Sequence, residues 1–212
     1  MFNALTFDKE ILKRAGSKNC SRVFYAGKTK IAGDKVTNFH IVDEDFEGDP
    51  QGDLYLSTVL LPDDVLDKVI GHVLTTKCRL IVNACSTLDE AGTCDKRYGA
   101  TPIGLAHKYG LLDGAYVAGG VYLDKDDIEL IVQSDAEVIL TPSTSMGEGY
   151  GIPPLRMLAT LGATVHLGSG LAAYNPDADL IFEQRLVSLA VSGVNCTKNA
   201  VSAAFLKAML ID

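Results

Sequence analysis

The sequence predicts an α/β protein built around a parallel sheet, and two observations carry this prediction. Short apolar segments rich in β-branched residues alternate with amphipathic helical patterns along the chain. The apolar segments are nearly continuous, which is typical of strands that helices cover on both faces. The chain has 212 residues, of which 47% are hydrophobic and 22% charged. This is the profile of a globular protein, and we expect a single domain over residues 1–212.

Six segments have the composition of buried strands. In chain order they are SRVFYAG (21–27), DLYLSTVL (53–60), RLIVNACS (79–86), GAYVAGGVYL (114–123), AEVILTP (136–142) and ATVHLGSG (163–170). Residues 28–53 lack clear periodicity, and we expect an irregular excursion there. Helical patterns occupy the intervals between the later strands, at residues 62–76, 101–112, 125–134 and 153–162.

Two closed architectures fit this order of segments, a doubly wound sheet and a barrel of strand–helix units. A complete barrel of eight such units takes about 250 residues. The chain therefore looks one or two units short of a complete barrel. About six strand–helix units are visible in the pattern.

Charge and cysteine usage exclude several classes of function. The formal net charge is -8, and no basic cluster is interleaved with aromatic residues, so we expect no nucleic-acid partner. The longest apolar runs fall far short of the roughly 20 residues of a membrane span, so we expect no membrane partner. The five cysteines show no C-x-x-C spacing and indicate reduced thiols in a cytoplasmic protein.

Two later stretches carry specific motifs. VILTPSTSMGEGYGIPPLRML (138–158) resembles the HNPxSNxxLxxGxxPxxxML loop of the amidohydrolase superfamily, in its aminohydrolase/chlorohydrolase branch. ATVHLGSGLAAYNPDADLIFEQRLVSL (163–189) is similar to the VxLGTDGxxSNxxxDxxxExRxAxL run of the same branch. The segment at 84–114 resembles the stretch after that family's fifth strand. The resemblance covers about residues 53–189, and it implies an incomplete (β/α)₈ TIM-like barrel.

The departures from the family pattern concern its chemistry. The family holds a catalytic metal with an HxH on the first strand, histidines on the fifth and sixth strands, and an aspartate on the eighth. No HxH occurs in this sequence, and we expect the region that carries it to be absent. The other three ligand positions fall at Asn83, Gly119 and Gly170, and the proton-shuttling glutamate falls at Ser86. The histidine before the family's SN motif falls at Leu140.

The resemblance therefore implies a degenerate amidohydrolase-like protein with no metal, no other cofactor and no catalytic residue. We expect a non-catalytic structural, regulatory or binding subunit. The alternative is a hydrolase for C–N or C–Cl bonds of a heterocycle, with an altered site or one completed by a partner chain. A residual small-molecule site would be lined by polar residues at Asn83, Ser86, Thr141, Ser145, Ser169 and Asn175.

Three further expectations concern partners and single side chains. A barrel that lacks units exposes free strand edges, so we expect a homo-oligomer or a protein partner that covers the open edge. The N-terminal segment Phe2–Lys13 is the alternative cover for that opening.

Asp89 and Glu90 fit the first turn of a helix, where acidic residues are favoured. Among the histidines, only His166 is expected near the barrel axis.

Overall fold

Parallel strands form the centre of the molecule. The computed structural model describes residues 2–6, 20–27, 30 and 36–210. The strands of these residues are β1 (Phe2–Thr6), β2 (Cys20–Gly27), β3 (Val36–Val42), β4 (Leu54–Leu56), β5 (Leu80–Ala84), β6 (Tyr116–Gly119), β7 (Glu137–Leu140) and β8 (Val165–Leu167). Each strand pairs in parallel with its successor, so the order in the sheet is the order in the chain.

The two outer strands of this sheet meet and nearly close it into a barrel. Thr6 of β1 forms an isolated bridge with Gly170, just after β8. The Gly170 N–H donates to the Leu5 carbonyl at 3.2 Å. The predicted α/β TIM-like barrel is confirmed, and it contains eight described strands where the sequence shows about six units. The expectation of an open strand edge is therefore wrong for these two strands, because β1 lies against β8.

The two strands without a sequence signal are β1 and β3. β3 lies inside residues 28–53, for which an irregular excursion is expected; polar residues interrupt its apolar ones, and only Phe39 and Val42 are buried. β1 is five residues long, too short for a clear pattern. Its Leu5 is 1% exposed. The other apolar residues of the segment Phe2–Lys13, from Phe7 onward, lie outside the described residues.

Side chains alternate between the inside and the outside of the barrel, as the period of two requires. One apolar cluster fills the interior, with a member from each of seven strands: Leu5, Phe24, Phe39, Tyr55, Ile81, Ala118 and Ile139. The neighbouring residues of the same strands belong to a second, larger cluster beneath the helices, as Leu80 and Val82 of β5 do. This alternation also fixes which residues reach the ends of the barrel.

Helices connect the later strands. They are α1 (Asp63–Thr76), α2 (Leu88–Tyr98), α3 (Pro102–Lys108), α4 (Lys125–Gln133), α5 (Pro142–Gly147), α6 (Leu155–Leu161), α7 (Leu180–Val194) and α8 (Ala203–Ala208). The four predicted helices are confirmed as α1, α3, α4 and α6. α5 and α8 have six residues each, too few to show a helical period. Across the described part of the chain, no helix is long and apolar enough to cross a membrane.

Local sequence explains where these helices begin. Thr87 accepts a hydrogen bond from the Glu90 N–H and so caps α2. Asp124 forms a capping box with Asp127 at the start of α4. Asp179 accepts from two backbone N–H groups of α7. Each cap lies in a loop that follows a strand, so these residues also fix the loops at one end of the barrel.

Candidate functional site

A cavity of about 610 Å³ lies at the end of the barrel where the strands finish. Barrels of strand–helix units form their ligand sites at this end, from the loops that follow the strands. The polar residues that line the cavity are Ser57, Thr58, Asn83, Ser86, Thr87, Thr93, Thr141, Thr144 and Ser145. Leu5 and Tyr55 contribute apolar surface from inside the barrel. We refer to this cavity as the mouth.

Four of the six predicted lining residues come together at the mouth, namely Asn83, Ser86, Thr141 and Ser145. The other two do not line it. Ser169 is fully buried. Asn175 is 3% exposed, and its amide donates to the Glu183 carboxylate at 2.8 Å. Tertiary packing therefore directs both side chains into the interior and away from the mouth.

Asn83 and Ser86 hydrogen-bond to each other. The Ser86 hydroxyl donates to Asn83 Oδ1 at 2.8 Å, and Asn83 Nδ2 donates to the Ser57 carbonyl at 2.9 Å. Asn83 lies on β5, the strand on which the resemblance locates a metal-binding histidine. The two residues now form a short polar chain that links the loop after β4 to β5 and its following loop.

At two glycines near the mouth, neighbouring hydroxyl groups occupy the space that a side chain would need. A Cβ atom added at Gly119 would overlap the Ser86 hydroxyl, and one added at Gly170 would overlap the Thr144 hydroxyl. Both glycines have positive φ angles, +85° and +61°, a conformation that disfavours side chains. The Thr144 hydroxyl also accepts from the Leu171 N–H at 2.9 Å. Side chains at 119 and 170 are therefore excluded by the present packing.

The first strand of the barrel is present but carries no histidine. The expectation that this region is absent is thus corrected, since β1 reads FNALT. Its Leu5 lines the mouth with an apolar side chain. Among the described residues, no three His, Cys, Asp or Glu side chains gather closely enough to hold a metal ion. The donors at the mouth are mainly hydroxyl and amide groups, so they do not fit the metal that the family implies.

Glu90 is a lining residue that the sequence does not reveal as one. It lies in the first turn of α2 as predicted, yet its carboxylate also reaches the mouth. It accepts from the Ser86 N–H at 3.0 Å and from the Thr58 hydroxyl at 3.2 Å. Burial raises the pKa of this carboxyl, and these hydrogen bonds oppose the rise. A first-turn acid is common, so its spacing alone gives no functional signal.

A buried carboxylate holds the loop after β7 in place. Glu183 of α7 is 0% exposed. It accepts hydrogen bonds from the Ser143 N–H at 2.8 Å and from the Ser143 hydroxyl. Burial raises the pKa of Glu183, and the hydrogen bonds from Ser143 and Asn175 oppose the rise. These hydrogen bonds hold the segment after β7 against α7. Thr141, Thr144 and Ser145 of this segment are thereby kept in position at the mouth.

Two buried cysteines near the mouth, Cys85 and Cys94, do not form a reactive thiolate. Cys85 and Cys94 are both buried. Burial raises the pKa of Cys94 to about 11 and that of Cys85 still further. Both thiols therefore stay protonated at neutral pH, whereas the thiolate is the nucleophilic form.

His166 points into the barrel, as expected, but does not line the mouth. Its Nε2 atom lies 2.6 Å from Oε2 of Glu137, the first residue of β7. The Tyr116 ring lies edge-on to the imidazole at 6.4 Å between centroids. Strand β7 begins at the end of the barrel opposite the mouth. This histidine is therefore separate from the candidate site.

Comparison with known proteins relates this geometry to a family. No family model matches the chain. Over 109 residues the chain is 35% identical to the 5-methylthioadenosine/S-adenosylhomocysteine deaminase of Pyrococcus furiosus. The match covers 51% of this chain and 26% of that protein. A second deaminase of the same name, from Haloarcula marismortui, is 31% identical over 130 residues. The chain thus spans between about a quarter and a third of the length of these curated relatives.

Solved structures show the same fold. Guanine deaminase from C. acetobutylicum, with guanine bound in its active site, superposes with a TM-score of 0.73 and 14% identity. That match covers 94% of this chain and 57% of the deaminase. An adenosine deaminase from Xanthomonas campestris with bound zinc has a TM-score of 0.67 and 16% identity, covering 82% of this chain and 37% of its own. Over the part of their length that it matches, the chain is a relative of the aminohydrolase branch of the amidohydrolase superfamily.

Proposed function

We propose that this chain is a non-catalytic member of its family that binds a small heterocyclic molecule in the barrel mouth. The observation that carries the proposal is an open polar cavity together with two glycines, Gly119 and Gly170, at which neighbouring hydroxyl groups leave no room for a side chain. The mouth offers about 610 Å³, which lies in the range of small-molecule sites. Beside it, the hydroxyls of Ser86 and Thr144 take the space that side chains at Gly119 and Gly170 would need.

The missing ligands have a large energetic consequence. A catalytic metal lowers the pKa of bound water from 15.7 to about 7. At about 1.36 kcal/mol per unit, this amounts to roughly 12 kcal/mol in favour of forming hydroxide. Asn83, Ser86 and two glycines supply no comparable stabilisation. A pocket that has lost this contribution keeps its capacity to recognise a ligand, because recognition depends on shape and hydrogen-bond donors and acceptors.

The relatives suggest which molecules to test. Their names specify 5-methylthioadenosine and S-adenosylhomocysteine, and a structural neighbour holds guanine. We expect at least one such purine compound to bind the purified chain, measured by isothermal titration calorimetry, with no release of ammonia in a coupled assay. Adding zinc should change neither result. The variant Thr141→Val should weaken binding, because it removes a hydroxyl from the mouth. Thr160→Val lies on α6 away from the mouth and should leave binding unchanged.

The alternative function is hydrolysis of a C–N or C–Cl bond, with an altered site or one completed by another chain. The relationship to deaminases favours it. Release of ammonia from a C–N bond, or of chloride from a C–Cl bond, at a rate that Thr141→Val reduces would establish this alternative and refute the non-catalytic assignment. Absence of binding by every purine compound in the panel would refute the binding assignment itself.

Association with a second copy or with a partner protein is also part of the proposal. Exposed apolar side chains on α7 support it, since Leu189 is 74% and Val194 67% exposed. Val194 also lines an apolar groove together with Met157 and Val191, and exposed apolar surfaces of this kind often mark interfaces.

A further inference from the structure

The charged residues of the mouth are predominantly acidic. Among the described residues that line it, the charged side chains are Glu44, Asp89, Glu90, Glu148 and Arg97. The Arg97 guanidinium donates to Asp63 at 3.0 Å, so its charge is already paired. A cavity with this balance attracts positive charge and repels anions.

Glu90 differs from the other three carboxylates of the mouth. Glu44, Asp89 and Glu148 are exposed, whereas Glu90 is partly buried. Water screens exposed carboxylates well, so they contribute little to selectivity. A partly buried carboxylate interacts more strongly with a ligand, because less water competes for it.

The hydrogen bonds of Glu90 leave acceptor capacity for a ligand. Oε2 accepts from the Ser86 N–H and Oε1 from the Thr58 hydroxyl. The Thr87 backbone also acts on this carboxylate. An ionised carboxylate has about four acceptor sites, so acceptor capacity remains for a ligand. Among the described residues, the ion pairs involve other carboxylates, those of Asp53, Asp63, Glu129 and Glu137. The hydrogen-bond donors to Glu90 are thus neutral groups, and a cation on the ligand would offset the cost of burying a charge there.

We propose that Glu90 anchors the ligand through its planar N–H donors, so that the mouth selects a flat, cationic amidine. A carboxylate pairs with the N–H donors of an amidine in the way it pairs with a guanidinium group. The inference rests on the proposed function, since it assumes that the ligand binds in the mouth. It goes further by naming the chemical class and the residue that selects it.

Benzamidine and benzamide provide the test, because they are similar in shape but only benzamidine is a cation with a full N–H fork. Dissociation constants are measured by calorimetry on the full chain. We expect benzamidine to bind about tenfold more tightly or better, as for hydrogen bonds to charged groups. Equal affinity of the two probes for the wild type would overturn the inference without any variant being needed.

Variants then assign the effect to a residue. Glu90→Gln keeps the shape and removes the charge, and we expect it to remove most of the preference for benzamidine. Glu148→Gln is the matched control, because Glu148 also lines the mouth but is exposed and accepts from the Tyr174 hydroxyl. It should change the preference by less than about threefold. Thermal melting of each variant verifies folding.

The outcomes separate the inference from the proposed function. Equal losses in Glu90→Gln and Glu148→Gln would refute a specific role for Glu90. Binding of 5-methylthioadenosine by wild type and Glu90→Gln alike, with no benzamidine preference, would refute the inference and leave the proposed function intact. If neither the probes nor the purine compounds bind, both proposals fail.

Discussion

At the scale of single residues, Gly119 and Gly170 determine what the barrel mouth can contain. The resemblance assigns both to metal-ligand positions of the family, and in the structure each faces a hydroxyl group that would overlap a side chain. The neighbouring side chains form hydrogen bonds of their own, such as that between Ser86 and Asn83.

This packing predicts a specific cost for Gly170→Ala. The substitution forces a side chain into a left-handed conformation, which costs about 1 kcal/mol, and displaces the Thr144 hydroxyl from the Leu171 N–H, which costs about 1–3 kcal/mol more. We expect a total loss of about 2–4 kcal/mol in the free energy of unfolding, measured with urea.

The control for this prediction is Gly162→Ala. Gly162 has a φ of +80°, and a Cβ added there meets nothing within 4 Å. It should therefore show only the conformational cost of about 1 kcal/mol. Equal losses in the two variants would mean that Thr144 does not obstruct position 170.

At the scale of elements, buried carboxylates join helices to the loops around the barrel. Asp127 of α4 is 2% exposed. It accepts from the Thr101 hydroxyl at 2.5 Å and from the Asp124 N–H at 3.2 Å. Because Thr101 also caps α3, a single carboxylate connects the starts of two helices. Glu183 does the same for α7 and α5 through Ser143.

Asp127 predicts a pH dependence of stability. Burial raises its pKa above the ordinary aspartate value of 3.8, although hydrogen bonds from Thr101 and Asp124 oppose the rise. The folded state therefore binds this proton more tightly than the unfolded state does. Its contribution to stability is fully present below pH 3.8 and is lost as the pH rises through the raised pKa.

The measurement compares wild type with Asp127→Asn in urea between pH 4 and pH 7. The free energy of unfolding of wild type minus that of the variant should decrease as the pH rises. Asp126→Asn is the control, since Asp126 lies exposed in the same helical turn. A difference that stays constant with pH for Asp127→Asn would show that its carboxyl is not perturbed by burial.

At the scale of the whole molecule, the closure of the barrel changes the reason to expect association. The sequence predicts open strand edges, but β1 lies beside β8 and is bridged to it at Thr6 and Gly170. The remaining reason is the surface of α7, where Leu189 and Val194 are exposed. Next to Val194 lies an apolar groove of about 650 Å³, whose lining includes Met157 and Val191.

We therefore expect the chain to associate through α7, with a mass in light scattering above the 22.6 kDa of one chain. Leu189→Glu and Val194→Glu should shift the mass toward the monomer, because each introduces a charge into an apolar contact. Leu88→Glu is the control, since Leu88 is 68% exposed but lies on α2. A mass of one chain across a wide concentration range would contradict this prediction.

The sequence alone determined the later strands and four of the helices between them, α1, α3, α4 and α6. Apolar segments such as AEVILTP and first-turn acids such as Asp89 act locally, so they can be recognised without knowledge of the fold. Motif spacing likewise located Asn83, Ser86, Thr141 and Ser145, all of which line the mouth.

The tertiary structure alone decided the closure of the barrel and the role of individual side chains at its mouth. β1 and β3 are short or interrupted by polar residues, and they become strands because neighbouring strands supply their hydrogen bonds. Glu90 looks like an ordinary first-turn acid until the loop after β4 brings Thr58 to its carboxylate. These features depend on contacts between residues far apart in the chain, and local composition carries no signal for such contacts.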